Sequence, residues 1–435
     1  MRSLLIALPL LVGFVQDEAA IQDMIRRLDD ADLEVREKAV KDLIAAGSKA
    51  LEPLRKAAAS ESAEVRARAA QAMKAIELAI GIRQVYPDHK PLSLKRTGTV
   101  GEILEDLVRL TGARIDASPE QRALKGAVDA VTLLQALDQL CTGQASLTCT
   151  AGDDGTFRFS SDRHIAAPAA YFEAFKVYLT QAEIVRKSDY KETTVGGTLS
   201  LHTVWDGRLK PLRRVRYESL TAKDDAGRDL EIIAATMENM FRMGGAGGGG
   251  FVIAGFGEGN DGTGPQSFAI KGLAPESKSV ATLTGKVTVA FPLARVDVVF
   301  DDPQSGQRKG AGDFNIKLKD VSTGKKKITL TFTRTKGEVQ GLKDEIMGRL
   351  DAGNAVAVDE DGKEHVGEIA LPQAEAGGAM VIMGGPGGGE AAKTATFQAT
   401  FPTLGDKDIK RFKFRFSDAV FEKTVTFEIK DIKLP

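Results

Sequence analysis

The sequence predicts a multidomain chain of mixed class, α followed by α+β followed by all-β: a short α-helical repeat, a small α+β module, then antiparallel β-sandwich domains, one or two in number. Three observations carry this prediction. Over residues 20–84 apolar positions recur at three and four, the spacing of amphipathic helices. Residues 91–161 hold two strand-helix units and a closing hairpin. From about Tyr171 onwards the apolar period falls to two, as in strands with one buried and one solvated face.

Ahead of these elements, Met1-Arg2-Ser3-Leu4-Leu5-Ile6-Ala7-Leu8-Pro9-Leu10-Leu11-Val12-Gly13-Phe14-Val15 places one positive charge before an apolar run that turns polar at Gln16-Asp17-Glu18. This is the pattern of a secretory signal peptide, assigned to residues 1–19 with cleavage between Gly13 and Ala20. The run is shorter than the roughly 20 residues a bilayer-spanning helix needs. No later stretch has that length and apolarity, so the expected location is periplasmic or extracellular, without a membrane span after the leader.

The first helices carry an internal repeat. Glu34-Val35-Arg36-Glu37-Lys38-Ala39-Val40 matches Glu64-Val65-Arg66-Ala67-Arg68-Ala69-Ala70 at an offset of 30, each block following an acidic or serine-bearing turn that can cap a helix. Between them Ala50-Leu51-Glu52-Pro53-Leu54 reads as a further helix with proline in its first turn. In the next module, Val100–Leu110 and Val131–Leu140 read as helices ended by Thr111-Gly112 and Thr142-Gly143. A strand at 113–116 and a hairpin of 146–150 with 156–159 complete it. In the β-rich half, alternation marks strands at 175–179, 287–291, 328–332, 412–416 and 425–429, with a short helix near 338–350.

Two of these regions resemble known families. The Val-Arg-x-x-Ala signature over residues 20–84 is similar to short HEAT repeats, which implies a helical-hairpin stack used for protein–protein contact. Residues 91–161 resemble the short N-terminal domain shared by secretins and TonB-dependent receptors, through Ile103-Leu104-x-x-Leu107-x-x-Leu110-Thr111-Gly112 and Leu134-x-x-Leu137-Asp138-x-Leu140. That resemblance implies an envelope-facing interaction module without catalytic residues. Residues 168–435 resemble no recognised family.

Composition bounds the function. With 435 residues there is chain for about three domains. The 59 basic and 60 acidic residues leave a net charge of −1, which argues against nucleic acid as partner. Four histidines (His89, His164, His202, His365) stand apart from one another, and no metalloprotease, nucleophile-elbow, kinase or dinucleotide motif is present, so neither enzyme activity, cofactor nor metal is expected. Acidic pairs at Asp224-Asp225, Asp301-Asp302 and Asp359-Glu360-Asp361-Gly362 read as solvated hairpin tips. Cys141 and Cys149 read either as a disulfide, permitted by export, or as two buried thiols of one core.

The glycine tracts 244–264 and 377–389 hold 18 of the 45 glycines and lack the ending of a phosphate-binding loop. Each embeds an apolar cluster, Phe251, Val252, Ile253 and Phe256 in one and Met380, Val381, Ile382 and Met383 in the other; these eight are assigned to contact with a partner. The functional expectation is a non-enzymatic envelope protein that binds protein partners. The alternative is a hydrolase or carbohydrate-binding protein with a carboxylate site on the sandwich loops.

Overall fold

A computed structural model describes residues 18–87, 89, 91–143, 147–151, 155–162, 166–188, 193–212, 215–234, 265–322, 327–335, 342–370, 394–405 and 407–435. They fall into two units, Met1–Asp88 and His89–Pro435.

The first unit is helical. Helix α1 (Glu18–Arg26) runs into a single 3-10 turn and is followed by α2 (Leu33–Ala46), α3 (Ser48–Ala57) and α4 (Ala63–Val85). Most of the expected leader lies outside the described residues, but Glu18 and Ala19 open α1, where an acidic side chain suits the positive end of the helix dipole. The offset of 30 has a physical meaning. Asp32 and Ser62 cap α2 and α4 by accepting from the Glu34 and Val65 N–H groups. One turn on, Arg36 Nη1 donates to the carbonyls of Asp30 and Ala31 (2.6 and 3.1 Å), and Arg66 Nη1 to those of Ser60 and Glu61 (2.8 and 2.7 Å). Buried Ala39, Ala69 and Ala72 let the helices approach around Leu28, Leu43, Leu54 and Ile76. The sequence places Pro53 in a first turn; α3 instead starts at Ser48, because Gly47 at φ 64° turns the chain directly from α2. Pro53 is therefore internal and withholds the N–H that Lys49 would otherwise bond.

The second unit begins with β1 (Leu94–Thr99), α5 (Val100–Thr111), β2 (Arg114–Asp116), α6 (Pro119–Arg122), β3 (Lys125–Ala130), α7 (Leu133–Thr142), β4 (Thr148–Ala151) and β5 (Thr156–Ser160). Helix α5 starts with a capping box of Thr99 and Glu102 and stops at Gly112 with φ 68°. Strand β1 pairs antiparallel with β3, while β5 lies between β2, parallel, and β4, antiparallel. One core takes Ile103, Leu104 and Leu107 from α5 and Leu133, Leu137 and Leu140 from α7. At Gly126 on β3 a Cβ would stand 2.8 Å from the Leu140 side chain, so glycine sets how closely α7 can pack.

The remaining strands are β6 (Ala169–Phe172), β7 (Phe175–Ser188), β8 (Thr193–Trp205), β9 (Val215–Asp224), β10 (Asp229–Ala234), β11 (Gln266–Leu273), β12 (Ser279–Asp301), β13 (Arg308–Ala311), β14 (Phe314–Ser322), β15 (Lys327–Arg334), β16 (Leu350–Asp359), β17 (Glu364–Ala370), β18 (Thr394–Thr400) and β19 (Ile409–Lys433), with α8 (Leu342–Met347) before β16. One or two sandwiches are the expectation; the structure joins all 14 strands in one order, β13-β14-β15-β18-β17-β16-β19-β12-β9-β10-β11-β8-β7-β6. The join is β12 against β19, antiparallel from Ser279↔Lys433 to Asp301↔Arg411.

That order is symmetric. Outward from the central pair, β12-β9-β10-β11-β8-β7-β6 on one side corresponds strand for strand to β19-β16-β17-β18-β15-β14-β13 on the other. The chain thus contains a tandem duplication of a seven-strand unit, with an antiparallel seam at the two-fold position. Strands β9 and β16 correspond at a constant offset of 135, which also aligns Asp224, Gly227 and Arg228 with Asp359, Gly362 and Lys363. The ends of the order fold back on the seam: β6 packs against β19, where Glu173 meets Lys423 at 2.8 Å, and Gly312, after β13, abuts Asp418.

Each seam strand serves both halves. In β12 both parities are buried from Val287 to Pro292, among them Val287, Val289 and Phe291, and beyond this stretch only the even-numbered Val298 and Phe300 are. In β19 they pass from Phe412, Phe414 and Phe416 to Phe427 and Ile429. The parity changes where the register shifts, at Pro292–Arg295 opposite Ser417–Val420. An extra residue in a strand of period two moves all later side chains to the other face, and a proline is tolerated at such an irregularity. Val298, Phe300, Phe412, Phe414 and Phe416 enter the core of the second half; Phe291 and Phe427 meet Phe175 and Tyr217 in the first.

Candidate functional site

Duplication sets two versions of one turn at opposite ends of the β12–β19 pair. At the β9–β10 tip, buried Asp224 accepts from the Ala226 and Arg228 N–H groups (3.0 and 2.9 Å), from Arg228 Nε (2.7 Å) and from the Ser277 hydroxyl (3.0 Å). Arg228 Nη1 also pairs with Glu276 at 2.7 Å. At the β16–β17 tip, buried Asp359 accepts from the Asp361 and Lys363 N–H groups (3.0 and 2.9 Å) and from His365 Nε2 (2.9 Å). Lys407 Nζ lies 3.4 Å from Asp359 and also pairs with Asp361. His365, only 3 % exposed, has its Nδ1 3.2 Å from the hydroxyl of exposed Thr403, on the turn between β18 and β19.

Both aspartates organise their hairpins by accepting backbone N–H groups across the turn, as Asx turns do. These tips are expected to be solvated; the structure buries the first carboxylate of each because the following loop, 274–278 or 401–405, folds over it. The hydrogen bond from His365 holds the Asp359 carboxyl far below the usual carboxylate range, against the opposing effect of burial. Burial pushes Asp224 up, but the bonds from Arg228, Ser277 and Ala226 outweigh it and leave the group lowered. The sign follows by linkage: each aspartate contributes stability that is fully present above the ordinary carboxylate pKa of about 4 and is lost as pH falls toward the lower folded value. Urea midpoints are therefore expected to drop below about pH 4, and Asp224→Asn and Asp359→Asn to flatten that drop. An unchanged pH slope in both variants would contradict this.

The pair differs in chemistry. The carboxylate is acceptor-only, so His365 donates to it from Nε2; with the ring neutral, Nδ1 is an acceptor and Thr403 Oγ its donor. A buried carboxylate, an imidazole and an exposed hydroxyl stand in line. The first half has Leu230 at the position of His365 and Glu276 on the loop that corresponds to Thr403's. Only the second tip can move a proton from a solvent-facing hydroxyl.

A second polar cluster ties the α+β module to the first strands of the sheet. Asp138 on α7 accepts from the Tyr171 hydroxyl at 2.5 Å and pairs with Lys176 of β7, whose Nζ also lies 4.6 Å from the centre of the Tyr178 ring. Tyr178 Oη in turn meets His202 Nδ1 at 3.1 Å. Burial and the adjacent Asp138 raise the pKa of both tyrosines. Cys141, buried, and Cys149, half-buried, are free thiols of the neighbouring core. Burial pushes Cys141 up to about 12 and raises Cys149 as well, which makes both poor nucleophiles.

The other expected positions are easily placed. All eight partner-contact residues, Phe251, Val252, Ile253, Phe256, Met380, Val381, Ile382 and Met383, lie outside the described residues, as does His164. Asp301 pairs with Arg411 at 2.7 Å on the surface. Trp205 ends β8 beside Asp206, which pairs with Arg208 Nη2 at 2.5 Å. A pocket of about 320 Å³ lies instead on the α+β module, floored by Leu104 and Ile115 and rimmed by Val108, Glu105, Arg109 and Arg122. Among the described residues no group of three or more His, Cys, Asp or Glu side chains is arranged to hold a metal, and no helix is long and apolar enough to cross a membrane. His365 gains Asp359 and Thr403 as partners because β17 and the β18–β19 turn meet at one end of the sheet. The spacing Asp-x5-His across a hairpin, Asp359 to His365, is the signal that could have found it. Comparison with family models, curated proteins and solved structures finds no match to this chain.

Proposed function

We propose that this is an exported, non-catalytic interaction protein of the cell envelope, whose helical and α+β parts dock onto protein partners while the duplicated sheet displays two glycine-rich contact segments. The observation that carries this reading is the symmetry of their attachment. The tract with Phe251, Val252, Ile253 and Phe256 joins β10 to β11 just past the pair Ala234↔Phe268. The tract with Met380, Val381, Ile382 and Met383 joins β17 to β18 past Ala370↔Gln398, the corresponding place in the second half. Two apolar segments inserted at equivalent points of a duplicated scaffold suit bivalent contact with a partner, in which the second engagement becomes intramolecular and raises avidity by about 100-fold or more.

The test compares the mature chain with forms lacking 244–264, 377–389 or both, immobilised and challenged with envelope extract. Loss of one tract is expected to shorten retention of the bound protein strongly, and loss of both to abolish it, with the melting temperature unchanged. Equal retention by the double deletion would remove the reading. So would finding the native protein in the cytosol with its leader uncut.

A further inference from the structure

We propose that Thr403 is a surface nucleophile, activated by His365 and oriented through Asp359, which accepts an acyl group from an activated ester and passes it to water. This departs from the non-catalytic part of the reading above and leaves its interaction role untouched.

The geometry meets the requirements of an activated hydroxyl. The hydroxyl bonds a ring nitrogen at 3.2 Å, the ring's other nitrogen bonds a buried carboxylate at 2.9 Å, and that carboxylate is itself fixed by the Asp361 and Lys363 N–H groups. Asp359, which also pairs with Lys407 Nζ at 3.4 Å, thereby orients the ring and takes the proton of Nε2 as its hydrogen bond. The turn does not demand this arrangement, because the corresponding tip closes with Leu230, Arg228 and Ser277. An imidazole in place of leucine must be stripped of water, and what it adds is a basic nitrogen aimed at an exposed oxygen. Because Thr403 stands on an open turn, the ester that fits has a small acyl group and a good leaving group.

Every step balances without a further reactant. Thr403 Oγ bonds the ester carbonyl carbon as its proton passes to His365 Nδ1, and Asp359 stabilises the resulting imidazolium at Nε2. The bond from carbon to the leaving oxygen then breaks and His365 returns the proton to that oxygen, which departs as the alcohol. Water, deprotonated by the same Nδ1, attacks the acyl-threonine carbon; the bond from that carbon to Thr403 Oγ breaks, Nδ1 returns the proton to Oγ, and the carboxylic acid departs.

The experiment treats the full chain with p-nitrophenyl acetate, follows nitrophenolate release and locates acetyl groups by peptide mass spectrometry, which separates Thr403 from acetylated lysines. Acetyl-Thr403 is expected, forming faster as pH rises through the imidazole range. It is expected to form about 100-fold more slowly in His365→Gln, to vanish in Thr403→Val and to persist in Thr403→Ser. Absence of acetyl-Thr403 in the unsubstituted chain overturns the proposal, and so does an unchanged rate in a folded His365→Gln. Should His365→Gln fail to fold, Thr403→Ser decides: acylation that follows the imidazole titration supports the proposal, and acylation independent of pH overturns it.

Discussion

Replacing Phe332 by alanine is expected to cost about 3–5 kcal/mol, the range for deleting a fully buried aromatic side chain. Its ring lies at the centre of the second core, 5.3 Å from Phe397, 6.1 Å from Phe414 and 6.0 Å from Phe416. Phe332→Leu keeps most of the volume and is expected to cost about 1.5 kcal/mol. The more telling readout is remote. Trp205, the single tryptophan, stands in the first half of the sheet, whereas Phe332 is in the second. Since β12 and β19 each place side chains in both cores, the tryptophan fluorescence transition is expected to shift together with the circular dichroism transition. Two separated transitions would show that the halves unfold independently and that the seam does not couple them.

Asp138→Ala is expected to cost about 3 kcal/mol, because removing one partner leaves the other charge buried and unpaired. Lys176 is 12 % exposed and Asp138 22 %, and the Tyr171 hydroxyl loses its acceptor in the same step. Asp138→Asn, which still accepts from Tyr171, is expected to lose less. The double change Asp138→Leu with Lys176→Met removes both charges and is expected to recover most of the loss. Hydrogen exchange read over α7 and β7 checks this, with faster exchange confined to those elements and their neighbours in the single variant. Protection unchanged in Asp138→Ala would mean that the α+β module is held to the sheet by its apolar contacts alone.

Local structure was largely legible. The caps of α2, α4 and α5, the glycine stops and the alternating strands are short-range chemistry, so Asp32, Ser62, Thr99 and Gly112 reveal their roles within four residues. The internal repeat of the helical unit was legible too, since Arg36 and Arg66 recur with their turns. The duplication of the sheet was not. Its two copies keep few identical residues, and the alternation of 412–416 and 425–429 reads as two strands because the irregularity between them reverses the buried face. The site at His365 was missed for a related reason. Its acid comes from one side of a hairpin and its hydroxyl from a turn 38 residues further along, which sequence spacing does not connect.

By itself the sequence determined the main helices and strand segments, the apolar face within each segment, and that the last two-thirds of the chain builds antiparallel sheet. Those properties depend on neighbours within a turn or a strand. Tertiary structure alone decided that fourteen strands form one order around an antiparallel seam, that each seam strand is shared by two cores, and that a buried aspartate, a histidine and an exposed threonine line up. Each of these depends on which distant segments share hydrogen bonds and exclude water together, and that choice is made by the packing of the whole sheet.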